Sequence, residues 1–366
     1  MKTLRLALLA LITTMFILAC EPRPADKQRE EATPTLVPEG FSECQEAVFS
    51  TLQSVLAQMG EAAQALLQTG QNFLQDPTAQ SHKLTQQRWH TLHQYLNQYS
   101  YFIELSHTLE PVLADLYQVN HAIAFKQIQP GYLDAYGPYP YSGLVFELNT
   151  PITADAVRQV QQDSASEEGA SGLFAIEFML FGEADSRSHT DFVAQTTLDE
   201  NHRLAGFDSV AELPNNRRRQ LLDVLLTMLT DDIAKAKALW QSSEKGLQLK
   251  WTQLKETEQF SLLQSATAAA LQSVQRELHA DPANNDNNGK SLVDYPDGAN
   301  LLKQRLESIQ RPAHCLNATI TLELAKQGDN TAEATNDKDV KEQTLIIINT
   351  ALQTLNTAKA QATLKQ

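Results

Sequence analysis

The 366-residue sequence has few of the residues that thiolate metal sites and covalent cross-links require, with three cysteines at positions 20, 44 and 315. No two of them show the C-x-x-C spacing typical of zinc and redox sites, which argues against a thiolate metal centre. HExxH, GxSxG and glycine-rich phosphate-loop motifs are also missing. These gaps argue against the zinc-peptidase, serine-hydrolase and nucleotide-binding classes that such motifs identify.

Basic residues are outnumbered in this chain. The 29 lysines and arginines face 44 aspartates and glutamates, which gives a net charge of −15 at pH 7. A surface of this sign repels phosphate groups, so we expect no nucleic-acid partner. The one basic cluster, Asn215 to Gln220, lies at the predicted start of a helix, and we interpret it as a solvated helix face.

Long apolar runs are rare as well, and the run at the N-terminus has the form of a secretion signal. Lys2 and Arg5 precede an apolar stretch that ends in Ile17-Leu18-Ala19-Cys20. This pattern predicts a lipoprotein signal peptide at residues 1–19 and acyl chains such as palmitate on Cys20; an ordinary signal peptide is the alternative. We therefore expect a periplasmic protein anchored to a membrane through Cys20, and Glu21 favours the outer over the inner membrane. Residues 20–41, rich in proline and charge, predict a flexible tether.

The remaining chain is dominated by helical periodicity. Leucine, alanine, glutamine, glutamate and lysine fill long segments in which apolar residues recur three and four positions apart. The pattern predicts an all-α fold of two helical bundles packed in tandem, at residues 42–200 and 201–366, with shared helices left open. Gly131 to Gly143, "GYLDAYGPYPYSG", predicts a structured loop, whose tyrosines form either a contact surface or a cap over the core.

Cys44 and Cys315 lie near the start of the first predicted helix of the body and in a late helix. In an oxidising periplasm the two can form a single disulfide. The sequence leaves open whether they are bonded.

One carboxylate interrupts the apolar run "GASGLFAIEFMLFGE", Gly169 to Glu183. On a helical wheel this segment is apolar almost all round, which predicts a helix in the centre of its bundle. A buried unpaired charge is costly, so Glu177 reaches water, has a partner or is protonated.

The same run resembles the signature of the imelysin family, in which Gly-x-His-x-x-Glu is followed by an apolar stretch and Leu-Phe-Gly. Gly172, Glu177 and Gly182 match this pattern, whereas Phe174 stands at the histidine position. The resemblance implies two packed helical bundles, a proposed metallopeptidase activity and an association with iron uptake. Because His and Glu three apart on a helix can chelate one ion and phenylalanine cannot, the departure weakens both metal-dependent roles.

Histidines elsewhere are candidates to complete the site. In members of the family, the tryptophan of an earlier helix is typically followed by an arginine four residues later; here Trp89 is followed by His93. We hypothesise that His93 or His107 pairs with Glu177, with iron or zinc as the candidate metal. The alternative is that these histidines are separate surface or core residues without a metal.

We therefore expect a lipid-anchored, imelysin-like periplasmic protein without enzymatic activity. It would serve iron or other metal acquisition by binding a ligand or a protein partner, such as an iron-uptake component. One alternative is a metallopeptidase that uses Glu177 with ligands from other helices. Another is a structural lipoprotein in which Glu177 satisfies a buried donor.

Overall fold

The computed structural model describes residues 37–109, 114–126, 128, 130–163, 169–242, 246–279, 295, 297–318 and 337–364. Within this part of the chain all extended regular structure is helical, which confirms the predicted all-α class. The predicted signal peptide, Cys20 and nearly all of the tether lie outside the described residues. Among the described helices we find none with the length and apolar character needed to cross a membrane.

Twelve α-helices are described, and we number them in chain order. They are α1 Phe41–Gln75, α2 Ala79–Thr108, α3 Ala114–Ala124, α4 Pro130–Leu133, α5 Ala154–Asp163, α6 Leu173–Phe181, α7 Glu200–Leu204, α8 Pro214–Gln241, α9 Leu247–Gln253, α10 Glu256–His279, α11 Gly298–Cys315 and α12 Asp337–Leu364. Short 3-10 turns at Glu183–Asp185, His189–Phe192 and Val210–Glu212 occupy the irregular stretch between α6 and α8.

The helix ends follow from local sequence. Thr78 and Ser81 form a reciprocal capping box at the start of α2, directly after the Asp76-Pro77 break that ends α1. Pro214 is the first residue of α8, where its missing N–H leaves no helical hydrogen bond unmade. Gly172, before α6, has φ +86°, and a Cβ built there would lie 2.3 Å from the carbonyl oxygen of Ala122. Only glycine therefore allows α6 to start so close to α3.

Helix α2 is the central element of the packing. It packs against α1, α3, α6, α10 and α11, while α8 packs against α1, α3 and α6. Helix α8 belongs to the second predicted bundle by sequence yet contacts helices of the first, so helices from the two halves interleave. Buried side chains from Phe41 to Leu355 form one contiguous hydrophobic cluster. The division into two bundles between residues 200 and 201 stays a prediction.

A disulfide links Cys44, in the first turn of α1, to Cys315, the last residue of α11. The two Cα atoms are 5.5 Å apart, and 271 positions separate the residues in sequence. The bond therefore encloses most of the described helices in one covalent loop.

The interpretation of the basic cluster as a solvated face is wrong for two of its arginines. Arg217 and Arg218, in the first turn of α8, are both buried. The Arg217 guanidinium donates to the carbonyl oxygens of Leu144, Val145, Glu147 and Thr150, at 2.6 to 3.0 Å. Arginine can be buried here because its rigid fork of donors is satisfied by several carbonyl oxygens of one loop.

The tyrosine-rich loop exposes two of its tyrosines to solvent and packs another onto the core. Tyr139 and Tyr141 keep 64% and 80% of their surface exposed, whereas Tyr136 packs edge-on against Phe178 of α6. Asp134, at the base of the loop, is completely buried. The loop is thus anchored on the core while its tip faces solvent.

Candidate functional site

Helix α6 carries the candidate site, and α2 holds it at both ends. Trp89 donates through its indole nitrogen to the carbonyl oxygen of Leu173, at 2.8 Å. His82 and Gln86 donate to the carbonyl oxygen of Leu180, at 2.8 and 3.1 Å. Seven of the nine residues of α6 are buried, as its all-round apolar pattern predicts. These bonds fix the position of α6 along α2, and with it the position of Glu177.

Glu177 lies at the edge of the buried part of α6 and is half-buried. The phenol of Tyr295 donates to its Oε2 atom, at 2.9 Å. Tyr295 is itself buried, and its ring stacks at 6.0 Å on that of Trp89. The carboxylate that interrupts the apolar helix therefore has a hydrogen-bond donor from a distant part of the chain.

His93 lies next to this pair. Its ring centroid is 4.8 Å from that of Tyr295, 4.9 Å from that of Trp89 and 5.6 Å from that of Phe174. Only 2% of its surface is exposed, and its Nδ1 atom has no hydrogen-bond partner. Burial, and secondarily the charge of Lys126, lowers the pKa of His93 to about 3. The imidazole is therefore neutral at physiological pH.

A partly buried ion pair completes the surroundings of Phe174. The Nζ atom of Lys126 lies 2.8 Å from Oε1 of Glu277 and 5.7 Å from the centroid of the Phe174 ring. Arg305 forms a second ion pair with Glu277 and donates to the hydroxyl of Ser273 at 2.8 Å. Burial alone raises the pKa of Glu277, but Arg305 and Lys126 together lower it to about 2. Glu277 is therefore ionised.

These side chains form what we call the Glu177 cluster. It lies where α2, α6, α10, α11 and the chain after α3 come together, and it consists of Glu177, Tyr295, His93, Phe174, Lys126, Glu277 and Arg305. The cluster combines an ionised carboxylate, an ammonium, a guanidinium, a phenol and a neutral imidazole. Such a set can recognise charge and hydrogen-bonding groups.

His107 lies apart from the Glu177 cluster. It is 14 residues beyond His93 on α2, which corresponds to about 21 Å along a helix. Its ring lies 3.7 Å from the carboxylate of Glu104 and 5.0 Å, centroid to centroid, from Tyr117, and 40% of its side chain is exposed. Of the predicted site residues, the structure brings Glu177, His93 and Phe174 together and leaves His107 outside.

Four members of the cluster were not predicted from the sequence. Lys126 carries a weak signal, because it is the first charge after the apolar run "AIAF". Glu277, Tyr295 and Arg305 have no local pattern that separates them from other polar residues. Their role depends on the packing of α10 and α11 against α2.

A second buried charge cluster touches α6 one turn further along. Asp134 pairs with Arg218 at 2.5 Å and with Arg187 at 3.0 Å, and it also accepts a bond from the backbone nitrogen of Ala135 at 2.8 Å. The guanidinium of Arg187 lies 5.8 Å from the centroid of the Phe178 ring. We call Asp134, Arg187 and Arg218 the Asp134 cluster; it joins the tyrosine-rich loop to α8.

A groove lies elsewhere in the described part of the chain. It has a volume of about 680 Å³ and runs along α1, α8 and α9, near the disulfide. Phe49, Gln45 and Trp251 are among its lining residues, and none of its lining residues belongs to the Glu177 cluster.

The donors around Glu177 do not fit a resident metal ion. Phe174, three residues before Glu177, offers no lone pair, and Lys126 brings a positive charge over its ring. Within the described part of the chain, no group of three or more histidine, cysteine, aspartate or glutamate side chains is arranged to hold a metal. We therefore derive no chemistry through a bound metal at this point.

Comparison with known proteins agrees with the helical fold and the motif frame. The family model Imelysin (Peptidase_M75) matches residues 52–297. That range includes most of α1, all of α2 to α10 and every residue of the Glu177 cluster except Arg305. No curated protein matches the chain. Because the family model covers more than half of the sequence, the protein belongs to the imelysin family.

Proposed function

We propose that the protein is a lipid-anchored, non-enzymatic member of the imelysin family in the periplasm. In this proposal it serves iron or other metal acquisition by binding a ligand or a protein partner, with the metal as cargo.

One observation carries the non-enzymatic part of the proposal. Glu177, the carboxylate of the motif frame, accepts a hydrogen bond from Tyr295 and shares its helix with the Phe174 ring rather than with a chelating imidazole. In this proposal the chain keeps the frame of the family motif without its metal-chelating pair. This favours recognition of a ligand or partner over metal-dependent hydrolysis.

The decisive experiment is a deletion strain grown with and without iron limitation. We expect slower growth and lower uptake of radioactive iron in the deletion strain under limitation, and restoration by the wild-type protein. Equal growth and uptake in the two strains would contradict the proposed role. The Glu177→Gln variant, expressed at the same level, tests whether the Glu177 cluster takes part.

The lipid anchor is tested separately. Radiolabelled palmitate should be incorporated into the wild-type protein and not into a Cys20→Ala variant. Membrane fractionation then distinguishes outer from inner membrane. If the wild-type protein remains unlabelled and soluble in the periplasm, the anchor is absent.

Proteolysis assays test the absence of enzymatic activity. Denatured substrate proteins are incubated with the purified chain, with and without a chelator. Cleavage that disappears with the chelator and in Glu177→Gln would replace our proposal with a metallopeptidase that draws ligands from other helices.

The bond from Tyr295 also favours a second candidate, a structural lipoprotein in which Glu177 satisfies a buried phenol. In that case Glu177→Gln would lower stability and leave iron uptake unchanged. The growth assay and an unfolding measurement on the same variant separate the two functions.

A further inference from the structure

An ammonium group lies at the centre of the Glu177 cluster. Lys126 Nζ is 2.8 Å from Glu277 Oε1 and 5.7 Å from the Phe174 ring centroid. Glu177 raises the pKa of Lys126, and Lys126 lowers the pKa of His93. The ammonium is therefore within electrostatic reach of two carboxylates and of the buried imidazole.

Phe174, which lies three residues before Glu177 on the same flank of α6, can bind an organic cation through its ring. A phenyl ring attracts an ammonium through the negative face of its π-system, but it has no lone pair for a metal ion. Phe174 and Glu177 are three residues apart on α6, so both act from one side of the helix. Phe174 and Glu177 therefore both interact with the ammonium of Lys126.

Lys126 is partly buried. Its side chain keeps 32% of its accessible area, yet burial is the main cause that lowers its pKa. Glu277 opposes that effect through its charge and its hydrogen bond. The cation is thus held inside the protein while a solvent-sized molecule can still reach it.

We propose that Lys126 is the resident cation of this site, a tethered ammonium that pairs with Glu277 and lies over the Phe174 ring, and that it excludes free divalent metal ions from Glu177. A metal ion that approached Glu177 would meet a fixed positive charge and would compete for the same carboxylates. The inference deepens the proposed function, on which its biological meaning rests, because it confines metal acquisition to a ligand or partner and removes direct binding of a free ion here.

The inference is tested by restoring a metal site in two steps and titrating each purified protein with Zn²⁺ and Fe²⁺ by calorimetry. Phe174→His supplies an imidazole three residues before Glu177 and near His93, while Lys126→Met removes the ammonium. We expect the double variant to bind Zn²⁺ at least tenfold more tightly than Phe174→His alone. Equal affinities of the single and double variants would overturn the inference.

A charge-matched control separates the ammonium from the shape of the side chain. Phe174→His/Lys126→Arg keeps a cation at this position, so we expect it to bind Zn²⁺ no more tightly than Phe174→His. Binding as tight as that of the Lys126→Met double variant would also overturn the inference. Circular dichroism and thermal unfolding establish that each variant is folded.

A measurement on the wild-type protein keeps the inference testable if Lys126→Met does not fold. Lysine acetylation is followed by mass spectrometry with and without Zn²⁺, and the exposed Lys83 of α2 is the internal reference. We expect Lys126 to react more slowly than Lys83 and at a rate that Zn²⁺ does not change. A change confined to Lys126 would mean that the metal displaces the ammonium.

These outcomes are independent of iron uptake. If the deletion strain grows normally under iron limitation while the variants behave as expected, the proposed function is wrong and the resident cation stands. If the deletion strain is impaired and Phe174→His alone binds zinc as tightly as the double variant, the proposed function stands and the resident cation is wrong.

Discussion

The two charge clusters that contact α6, one turn apart, share the same kinds of components and differ in their exposure to solvent. In each, a cation lies over a phenylalanine ring of α6: Arg187 over Phe178, and Lys126 over Phe174. The carboxylate of Asp134 is wholly buried and receives bonds from two arginines and a backbone nitrogen. The Glu177 cluster instead retains accessible surface on Lys126 and Glu277. Each cluster has a buried nitrogen without a hydrogen-bond partner, Nδ1 of His93 in one and Nε of Arg187 in the other.

The difference indicates different roles. A buried carboxylate with several charged donors fixes the local structure, because removing any partner exposes the others to an unfavourable environment. A cluster with a neutral imidazole and partly accessible charges leaves capacity for another molecule. We therefore assign the Asp134 cluster to stability and the Glu177 cluster to recognition.

The largest expected effect is at Asp134. Asp134→Asn removes the negative charge between Arg187 and Arg218, so we expect the free energy of unfolding to fall by about 3–5 kcal/mol. Urea unfolding at pH 7 measures it, with Asp231→Asn on the exposed face of α8 as the control, expected within about 0.5 kcal/mol of wild type. A loss below about 1 kcal/mol at Asp134 would mean that this cluster is not structural.

The next effect depends on pH and concerns His93. Its pKa is about 3 in the folded protein and about 6.5 when unfolded, so the unfolded state binds the extra proton first as the pH falls. The stability associated with the neutral ring is present above pH 6.5 and is lost between pH 6.5 and 3. When the pH is lowered from 7 to 4.5, we expect the free energy of unfolding of His93→Phe to rise by about 2–3 kcal/mol relative to that of the wild type.

Urea unfolding of both proteins at several pH values gives this difference. His279→Gln, at the exposed C-terminal end of α10, should show no such trend. Parallel pH curves for wild type and His93→Phe would mean that the ring is not held neutral.

A smaller effect is expected from the bond that positions α6. Trp89→Phe removes the indole donor from the carbonyl oxygen of Leu173, which costs about 0.5–1.5 kcal/mol. Hydrogen exchange should become faster at the amides of α6 in this variant. Trp240→Phe removes a bond to Tyr99 instead, so it should leave exchange in α6 unchanged.

The smallest expected change in stability is at Glu177. Glu177→Gln keeps an oxygen that accepts the bond from Tyr295, so we expect a loss below about 1 kcal/mol. A double-mutant cycle with Tyr295→Phe measures the coupling of the two side chains. A loss above about 2 kcal/mol in the single variant would move Glu177 to the structural group, beside Asp134.

Much of the fold was predictable because it depends on local patterns. The three- and four-residue spacing of apolar side chains specifies helices, and the all-round apolar character of α6 specifies its burial. The interleaving of α8 with α1, α3 and α6 was not predictable, because every apolar stripe fits several partners equally well.

The candidate site was predictable only where its residues share a helix. Phe174 and Glu177 were found together because their spacing of three is visible in the sequence. Tyr295, Glu277 and Arg305 come from other segments, and nothing near them in sequence encodes the contact. Arg217 and Arg218 were misinterpreted since a run of charges is usually solvated, and only the packed structure reveals the carbonyls and the carboxylate that they satisfy.

The bond between Cys44 and Cys315 also determines how the molecule carries mechanical load. A force applied between residue 37 and α12 passes through the two sulfur atoms and bypasses residues 45–314. While the disulfide is intact, a pulling force can extend only the backbone outside the covalent loop. Tension would therefore act on the backbone outside the loop, while the backbone of the helices that carry the Glu177 cluster lies inside the loop and is not stretched.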